Sequence, residues 1–321
     1  MKELSGSVRA ARMRFLDAVE PHRPGLYRYC RSLAPTVWDA EDLLQDTLLK
    51  AFSKLGEVHF ELKTPRAWLF RIATTTWIDR TRKKVPVQVA APEVASPADP
   101  RELTPEVREA LEQLSRRLPP QERTAVLLKD VFGLSLSEVA RALDTTRGAV
   151  KAALHRGRGK LGELQAAGGA TSVSPPPPGS WGPPPELLDR FVEAFNARDL
   201  DRLTGLFQDD AEAEVVGMVH ELGRDQIRDG SLHHTLFDEH GDPRIERVEL
   251  LGERLLAIRY TREVDGVRVT EVGDILRLFA GDDGLLRTLR YYYFCPEVLE
   301  EVTSALGLPV HTNGYRYQPK P

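Results

Sequence analysis

Residues 134–160, LSLSEVARALDTTRGAVKAALHRGRGK, decide how this chain is read. Ser135 followed three residues later by Glu138 forms a capping box, in which each side chain satisfies an orphan amide at a helix start. Leu136, Val139, Ala140 and Leu143 recur at i, i+3, i+4 and i+7, so a short helix buries that side. Asp144, Thr145 and Thr146 break the period and offer a fresh cap. Val150, Ala153, Leu154 and Leu161 then give a second helix its buried stripe. On the opposite side Arg147, Lys151, His155 and Arg158 stand about one turn apart, with Arg156 and Lys160 beside them. This is a helix-turn-helix with a cationic second helix, a shape that fits the DNA major groove. A basic helix face alone is often only solvated surface. The turn, the cap and the one-sided charge together favour contact with DNA.

The chain has 321 residues, enough for two or three domains. Its net charge of -4 conceals an asymmetry. Through residue 170 there are 28 Lys+Arg against 21 Asp+Glu, a surplus of +7; beyond it the balance is 16 against 27, or -11, which together restore the total. A basic front half suits a polyanion and an acidic back half does not. No apolar run is long enough to span a bilayer, and the opening MKELSGSVRAARMRF lacks the apolar core of a signal peptide, so a cytoplasmic location is expected. The two cysteines, Cys30 and Cys295, are too few for a disulfide framework and too far apart for a local metal knuckle.

Upstream of the opening stretch the pattern is helical from Met13 to about Lys84. PHRPGLYRYCRSL places Leu26, Tyr29, Cys30 and Leu33 on one face, and Pro35 ends it. TVWDAEDLLQDTLLKAFSKL carries Leu43, Leu44, Thr47, Leu48 and Phe52 inward, with an outward side read as acidic at Asp39, Glu41, Asp42 and Asp46. Acid at a helix start is often plain dipole compensation, and it equally suits a basic partner helix. TPRAWLFRIATTTWIDRTRKK opens on Thr64 as cap and Pro65 at the first helical position. Trp68, Leu69, Ile72 and Thr76 read inward. Arg71, Thr74, Thr75, Asp79, Arg80, Arg82, Lys83 and Lys84 make the remainder polar and increasingly basic, a mixture able to handle unstacked bases. VPVQVAAPEVASPAD lacks periodicity and reads as a tether. Helical pattern returns at Pro105, and Pro119 and Pro120 start a helix through Lys129 that Gly133 ends.

DAEDLLQDTLLKAF, TPRAWLFRIATTTWIDRTRKK and LPPQERTAVLLKDVFGLSLSEVARALDTTRGAVKAALHRGRGKL, in that order, resemble an extracytoplasmic-function RNA polymerase sigma factor over about half the chain. The resemblance implies that Asp39, Glu41, Asp42, Leu43, Gln45 and Asp46 dock on the polymerase clamp. It implies that the helix from Trp68 to Lys84, through Arg71, Thr74, Thr75, Asp79, Arg80, Arg82, Lys83 and Lys84, recognises and helps open the minus-ten element, and that Arg147, Lys151, His155, Arg156, Arg158 and Lys160 address the minus-thirty-five element. Asp79 and Arg80 match the family pattern. Thr75 stands where Asn is common, and Ala152 and Ala153 where Ser-Arg is common, so the promoter bases are not carried over.

AAGGATSVSPPPPGSWGPPP, residues 166–185, is a second linker in which glycines give slack and proline runs favour an extended helix. Trp181 within it is expected to dock on a flanking domain. From Glu186 the pattern changes class. Leu188, Phe191, Val192 and Phe195 mark a helix, a turn follows at 197–199, and Leu200, Leu203, Leu206 and Phe207 continue it. AEAEVVGMVH reads as one short strand and GRDQIRDGSLHHTLF as a further helix. RIERVELL, RLLAIRYTREV, VRVTEVGDILRLF and LLRTLRYYYF alternate between turn signals, which predicts an antiparallel meander with helices over one sheet face. The half is similar to SnoaL-like polyketide-cyclase domains, whose sheet and helices form a cone around a pocket. The Asp-Gly-Gly-Gly-Lys signature of the best-known subgroup of such fusions is absent. His220, Tyr260, Asp274 and Tyr292 are the ionisable candidates in the cone. His233 and His234 are adjacent and point apart, unsuited to sharing a metal. The tail HTNGYRYQPKP, with Tyr315 and Tyr317, is a candidate cover for a surface groove.

The expected organisation is therefore a multidomain chain. A region-two-like all-α domain occupies residues 10–85, a linker 86–104, a region-four-like helix-turn-helix domain 105–165, a second linker 166–185, and an α+β SnoaL-like domain 186–321. The expected function is promoter-specific transcription initiation with core RNA polymerase and promoter DNA as partners, without membrane, metal, cofactor or enzymatic activity, and with the C-terminal domain modulating it. The alternatives are a C-terminal small-ligand sensor or enzyme fused to a sigma factor, and a helix-turn-helix regulator acting without polymerase.

Overall fold

The computed structural model describes residues 2–55, 65–84, 118–166, 182–238 and 242–315. It divides into two compact units, Met1–Ser172 and Val173–Pro321. The N-terminal unit holds both helical modules.

Helix α1, Lys2–Val19, begins well before the periodic stretch. Helices α2 (Arg23–Leu33), α3 (Val37–Leu55) and α4 (Pro65–Lys84) pack on one another. Their inward stripes are largely those the spacing predicts: Leu26, Tyr29, Cys30 and Leu33 meet Leu43, Leu44, Thr47 and Leu48 and then Leu69 and Ile72, all buried. The buried tryptophan of α4 is Trp77, whereas Trp68 is only half-buried. Helix α5 (Pro120–Val126) starts on a proline and continues through a wide π-type turn, Leu127–Val131. Gly133, at φ 69°, ends that run in the left-handed conformation. Helices α6 (Leu136–Ala142) and α7 (Arg147–Ala166) follow.

In the C-terminal unit α8 (Pro185–Asn196) buries Leu188, Phe191 and Phe195. Helix α9 is shorter than expected, Leu200–Thr204, because the chain turns at Gly205 and Phe207 already begins β1 (Phe207–Val215). The expected single strand is a hairpin: β1 turns at 216–218 and returns as β2 (Val219–Leu222). The expected helix after it is present but kinked, continuing in wide π-type turns over Arg228–Leu232 and His234–Asp238. Helix α10 spans only Arg224–Ile227, and the chain kinks at Gly230, with φ -102° and ψ -110°. The cause is the Glu221 carboxylate, which accepts hydrogen bonds from Ser231 N (2.8 Å) and Ser231 Oγ (2.6 Å) and occupies the space a Cβ at 230 would need.

Strands β3 (Arg244–Leu250), β4 (Glu253–Val264), β5 (Val267–Ala280) and β6 (Leu286–Tyr291) form the expected antiparallel meander. Two of its turns put consecutive residues at positive φ, Leu251–Gly252 and Asp265–Gly266, as tight hairpins require. The sheet is nevertheless mixed. Its order is β2-β1-β6-β5-β4-β3, with β1 parallel to β6, so that Ala211 and Ala213 join Leu286 and Leu289 in one core. Helices cover more than the single face expected. Leu256, Ile258 and Tyr260 of β4 join the core with α8, but Leu255 and Ala257 on the alternate side are buried as well. A C-terminal helix, α11 (Pro296–Leu306), packs against β3 and β5 and contributes Val298, Leu299 and Val302.

Beyond α11 the tail adds a parallel bridge between Val310 and Val272, with Val272 N donating to Pro309 O and His311 N to Val272 O, both at 2.9 Å. Tyr315 donates to Glu297 Oε1. Tyr317 and Trp181 lie outside the described residues. Among the described residues no helix is long and apolar enough to cross a membrane, and no cluster of His, Cys, Asp and Glu is arranged to hold a metal ion.

At the kink in the β4–β5 pairing, a Cβ on Gly273 would stand 2.6 Å from Tyr260 Cδ2 and 2.8 Å from its Cε2. The ring is buried and cannot swing into solvent. Gly273→Ala is therefore expected to destabilise this unit by about 1–3 kcal/mol, read as a lower denaturant midpoint at unchanged slope.

Candidate nucleic-acid interface

The helix-turn-helix is built as its sequence requires. Glu138 N donates to Ser135 Oγ at 3.2 Å and Ser135 N to Glu138 Oε2 at 2.8 Å, completing the capping box. Hydrogen bonds from Ser135, side chain first and then backbone, hold the Glu138 carboxyl below the usual range. Asp144 takes positive φ at the turn, and Thr146 Oγ1 caps α7 by accepting from Ala149 N at 3.2 Å. Val150, Ala153, Leu154 and Leu161 are buried.

The opposite side of α7 is not one surface. Arg147, Lys151 and His155 are exposed at i, i+4 and i+8, which sets them in a row along the helix. Two residues past His155, about half a turn round the helix, Gly157 faces α5, and a Cβ there would lie 2.8 Å from Val126 Cγ2 and 3.4 Å from Glu122 O. The cations around it are paired within the protein. Arg156 Nε donates to Glu122 Oε1 at 2.9 Å and Lys160 Nζ to Glu122 Oε2 at 2.8 Å. Arg158 grips Asp130 through Nε at 3.0 Å and Nη2 at 2.6 Å, an arrangement that raises its pKa. Bidentate contacts of this kind are among the stronger charge-assisted bonds. So Arg156, Arg158 and Lys160 fasten α7 to the preceding helical segment, and the outward row is Arg147, Lys151 and His155.

Helix α4 is sorted in the same manner. Arg71 and Asp79 are exposed and Thr75 is half-buried between them, at a four-residue spacing. Thr74 is fully buried, its hydroxyl 2.7 Å from that of Tyr29. Arg80 donates to Asp46 Oδ2 at 2.6 Å and to Asp42 O at 3.0 Å, tying α4 to α3. The side chains of Arg82, Lys83 and Lys84 lie outside the described residues.

On α3 the outward reading of Glu41 is corrected. Glu41 is fully buried, 3.4 Å from Arg23 Nη2, and its Oε1 accepts from Gln45 Nε2 at 2.6 Å. A buried charge demands such partners. Leu43 is core as well. Asp39 exchanges hydrogen bonds with Thr36 at the helix start, 2.6 Å from its hydroxyl and 3.0 Å from backbone to Thr36 Oγ1. Asp42, Gln45 and Asp46 remain partly exposed. Leu49 is 66% exposed; it lies one further turn along from Asp42 and Gln45, and periodicity could have flagged it as an apolar residue outside the inward stripe.

In the C-terminal unit His220 stands apart, exposed on edge strand β2 with Nε2 3.5 Å from Glu212 Oε2. Tyr260, Asp274 and Tyr292 are buried; Asp274 Oδ1 accepts from Tyr292 N at 2.8 Å, and Tyr260 meets Tyr293 edge-on at 6.4 Å. The structure does not gather the four into one site. His233 ring-packs with Phe237, at 5.1 Å.

Two helical modules, one with an exposed cationic recognition helix, define a sigma-type nucleic-acid-binding chain. Residues 18–85 match Sigma-70 region 2 and residues 104–161 match Sigma-70, region 4. The ECF RNA polymerase sigma factor SigW of Bacillus subtilis (strain 168) is 32% identical over 162 residues, 46% of this chain and 86% of that protein. The ECF RNA polymerase sigma factor SigG of Mycobacterium tuberculosis (strain ATCC 25618 / H37Rv) is 32% identical over 230 residues, 63% of this chain; this chain covers 61% of the length of SigG. The chain belongs to the ECF RNA polymerase sigma factors. Among solved structures, extracytoplasmic function sigma factor SigJ of Mycobacterium tuberculosis is similar over 86% of this chain and 95% of its own, at 22% identity and a TM-score of 0.32. A putative polyketide cyclase from Sinorhizobium meliloti is similar over 34% of this chain and 95% of its own, at 18% identity and a TM-score of 0.27. The C-terminal unit is the α+β extension, with its six-stranded mixed sheet.

Because the Glu138 pKa is depressed in the fold, the ionic half of the capping box stabilises above the ordinary glutamate value of ~4.3 and is lost as pH falls through the folded-state value. Ser135→Ala is expected to cost about 1 kcal/mol near neutrality and less in acid. Glu138→Gln should remove that pH dependence. Melting curves of the three proteins at pH 7 and pH 3 check both.

Proposed function

We propose that this protein directs promoter-specific transcription initiation as a subunit of RNA polymerase, acting in the cytoplasm. The observation that carries the reading is the exposed row Arg147, Lys151 and His155 on the second helix of a helix-turn-helix, held outward while Arg156, Arg158 and Lys160 are engaged behind it. That row addresses the minus-thirty-five element in the major groove. Exposed Arg71 and Asp79, with half-buried Thr75 between them, form the outward row of the minus-ten helix, with Thr74, Arg80, Arg82, Lys83 and Lys84 flanking them in sequence; buried Thr74 and paired Arg80 act by shaping the helix. The polymerase clamp docks on Asp42, Gln45 and Asp46 with Leu49 as apolar anchor, while Asp39, Glu41 and Leu43 fix the helix that presents them. The acidic C-terminal domain modulates this activity, since a -11 domain on a linker can reach and oppose a +7 surface at high effective concentration.

In vitro transcription with core polymerase tests the reading. Lys151→Ala is expected to weaken promoter binding and lower its salt slope by about 1 with core binding unchanged. Asp42→Lys combined with Leu49→Ala should abolish core binding. Truncation after Gln165 should change the transcript yield; an equal yield with and without residues 186–321 would remove the modulatory role. Specific duplex binding with no affinity for core polymerase would favour a polymerase-independent regulator instead.

A further inference from the structure

We propose that two copies of this chain associate through the outer edge of β5, pairing antiparallel about a twofold axis at Val269. Strands β4 and β5 outrun their neighbours. Strand β3 pairs with β4 only over Glu253–Arg259, and β6 pairs with β5 only over Leu276–Ala280. From Tyr260 to Val272 the two strands therefore project as a ribbon closed by the Asp265–Gly266 turn. Val267 is 62% exposed, Arg268 and Thr270 are exposed, and Val269 is half-buried. The ribbon belongs to the C-terminal unit, so the inference goes beyond the promoter-reading function and does not rest on it.

Val272 fixes which backbone groups lie on that edge. Its N donates to Pro309 O and its carbonyl accepts from His311 N, so both groups point away from β4. The β4–β5 register runs unbroken from Arg259 opposite Val272 to Val264 opposite Val267. Strand alternation then turns the backbone groups of Thr270 and Arg268 to the same side as those of Val272. Among the described residues, the tail pairs with this edge at Val272 alone. The two outermost strands of the sheet are guarded differently. On β2, Leu222 N donates to Gln226 Oε1 at 3.1 Å, and on β3 the Asn196 amide takes both backbone groups of Ile245. Such side-chain plugs keep an edge from pairing with another chain, as prolines and bulges do. Residues 267–271, VRVTE, contain no proline, and the one bulge of the β4–β5 pairing lies elsewhere, at Ile258/Arg259.

The edge is complementary to itself in one register. With the axis at Val269, Arg268 of each copy faces Thr270 of the other, and each such pair exchanges both backbone hydrogen bonds. No like charges stand directly opposite, and Arg268 keeps Glu263 as its cross-strand neighbour within its own ribbon. Val269 meets Val269 of the second copy in the close, non-hydrogen-bonded position, and Val267 of each copy lies diagonal to it on the same face. An axis at Arg268 sets two guanidinium groups opposite one another, which is destabilising. An axis at Thr270 calls on Val272, whose backbone groups the tail already holds. The β4 edge of the ribbon fails for the first reason, because the residue midway between Thr261 and Glu263 is Arg262. A second copy is the occupant that this match of register and charge selects.

The test uses the full-length chain alone. Sedimentation velocity over about a hundredfold range of protein concentration should show monomer passing to dimer. The dissociation constant should be micromolar, since the paired edge is far smaller than the ~1,600 Å² of a standard stable interface. Val269→Lys places like charges across the axis, and Thr270→Pro removes an outward N–H without breaking the ladder to β4. Each is expected to weaken dimerisation about tenfold or more. Val269→Cys reads the register directly and decides the matter where the other variants disturb folding. Its Cα stands about 4.5 Å from that of its copy, within disulfide reach, whereas two Val267→Cys positions are offset by roughly 14 Å along the strands. Native Cys30 and Cys295 are buried, so mild oxidation should link Val269→Cys into a covalent dimer and leave Val267→Cys unlinked. A chain that stays monomeric at every concentration, a dimer indifferent to Val269→Lys, or linkage at neither position or equally at both would overturn the proposal.

Discussion

The close crossing of α5 and α7 at Gly157 is the constraint on which the DNA-reading half depends. A recognition helix can present one side to a groove only if its other side is held. Here the absence of a side chain at 157 lets α7 approach Val126 and Glu122, and the short separation brings Arg156, Arg158 and Lys160 within reach of Glu122 and Asp130. Glu122 and Asp130 are little exposed, so these pairs are less screened than ordinary surface bridges. A cationic stretch is thereby divided into an inner clamp and an outer row.

The same logic operates on α3. Burying Glu41 beside Arg23 and under Gln45 costs desolvation that only good partners offset. In return the pair fixes the rotation of α3 about its axis, which sends Asp42 and Leu49 outward and Leu43 and Leu44 inward. Arg80 then ties α4 to that framework through Asp46 and the Asp42 carbonyl. Charge in this unit is used twice, inside to set orientation and outside to be available.

The C-terminal unit uses backbone devices more than charge. Gly230 lets the Glu221 carboxylate close over the chain, and Gly273 lets the Tyr260 ring lie against the backbone. Asn196 Nδ2 donates to Ile245 O and its Oδ1 accepts from Ile245 N, both at 2.9 Å, so a side chain pairs strand β3 as a neighbouring strand would. These contacts hold the helices to the sheet while α11 and the tail cover β5 from the other side.

The sequence by itself determined the helix-turn-helix, the inward stripes of α2 to α4, the meander and its turns, and the order of sigma-like motifs. Each is a local signal, a cap, a period or a turn residue acting within a few positions. Tertiary structure decided what local signals do not encode. Arg147 and Arg158 look alike along the helix period, and only the position of Asp130, 28 residues before Arg158, separates clamp from reader. Glu41 and Asp42 are neighbours, and only Arg23 draws one of them inside. Likewise the parallel β1–β6 pairing joins strands distant in sequence, and the meeting of Phe132 with Tyr29 and Phe70 joins two modules that the sequence read as separate. A side chain's exposure depends on what the rest of the chain brings to it, and that is a property of the folded molecule.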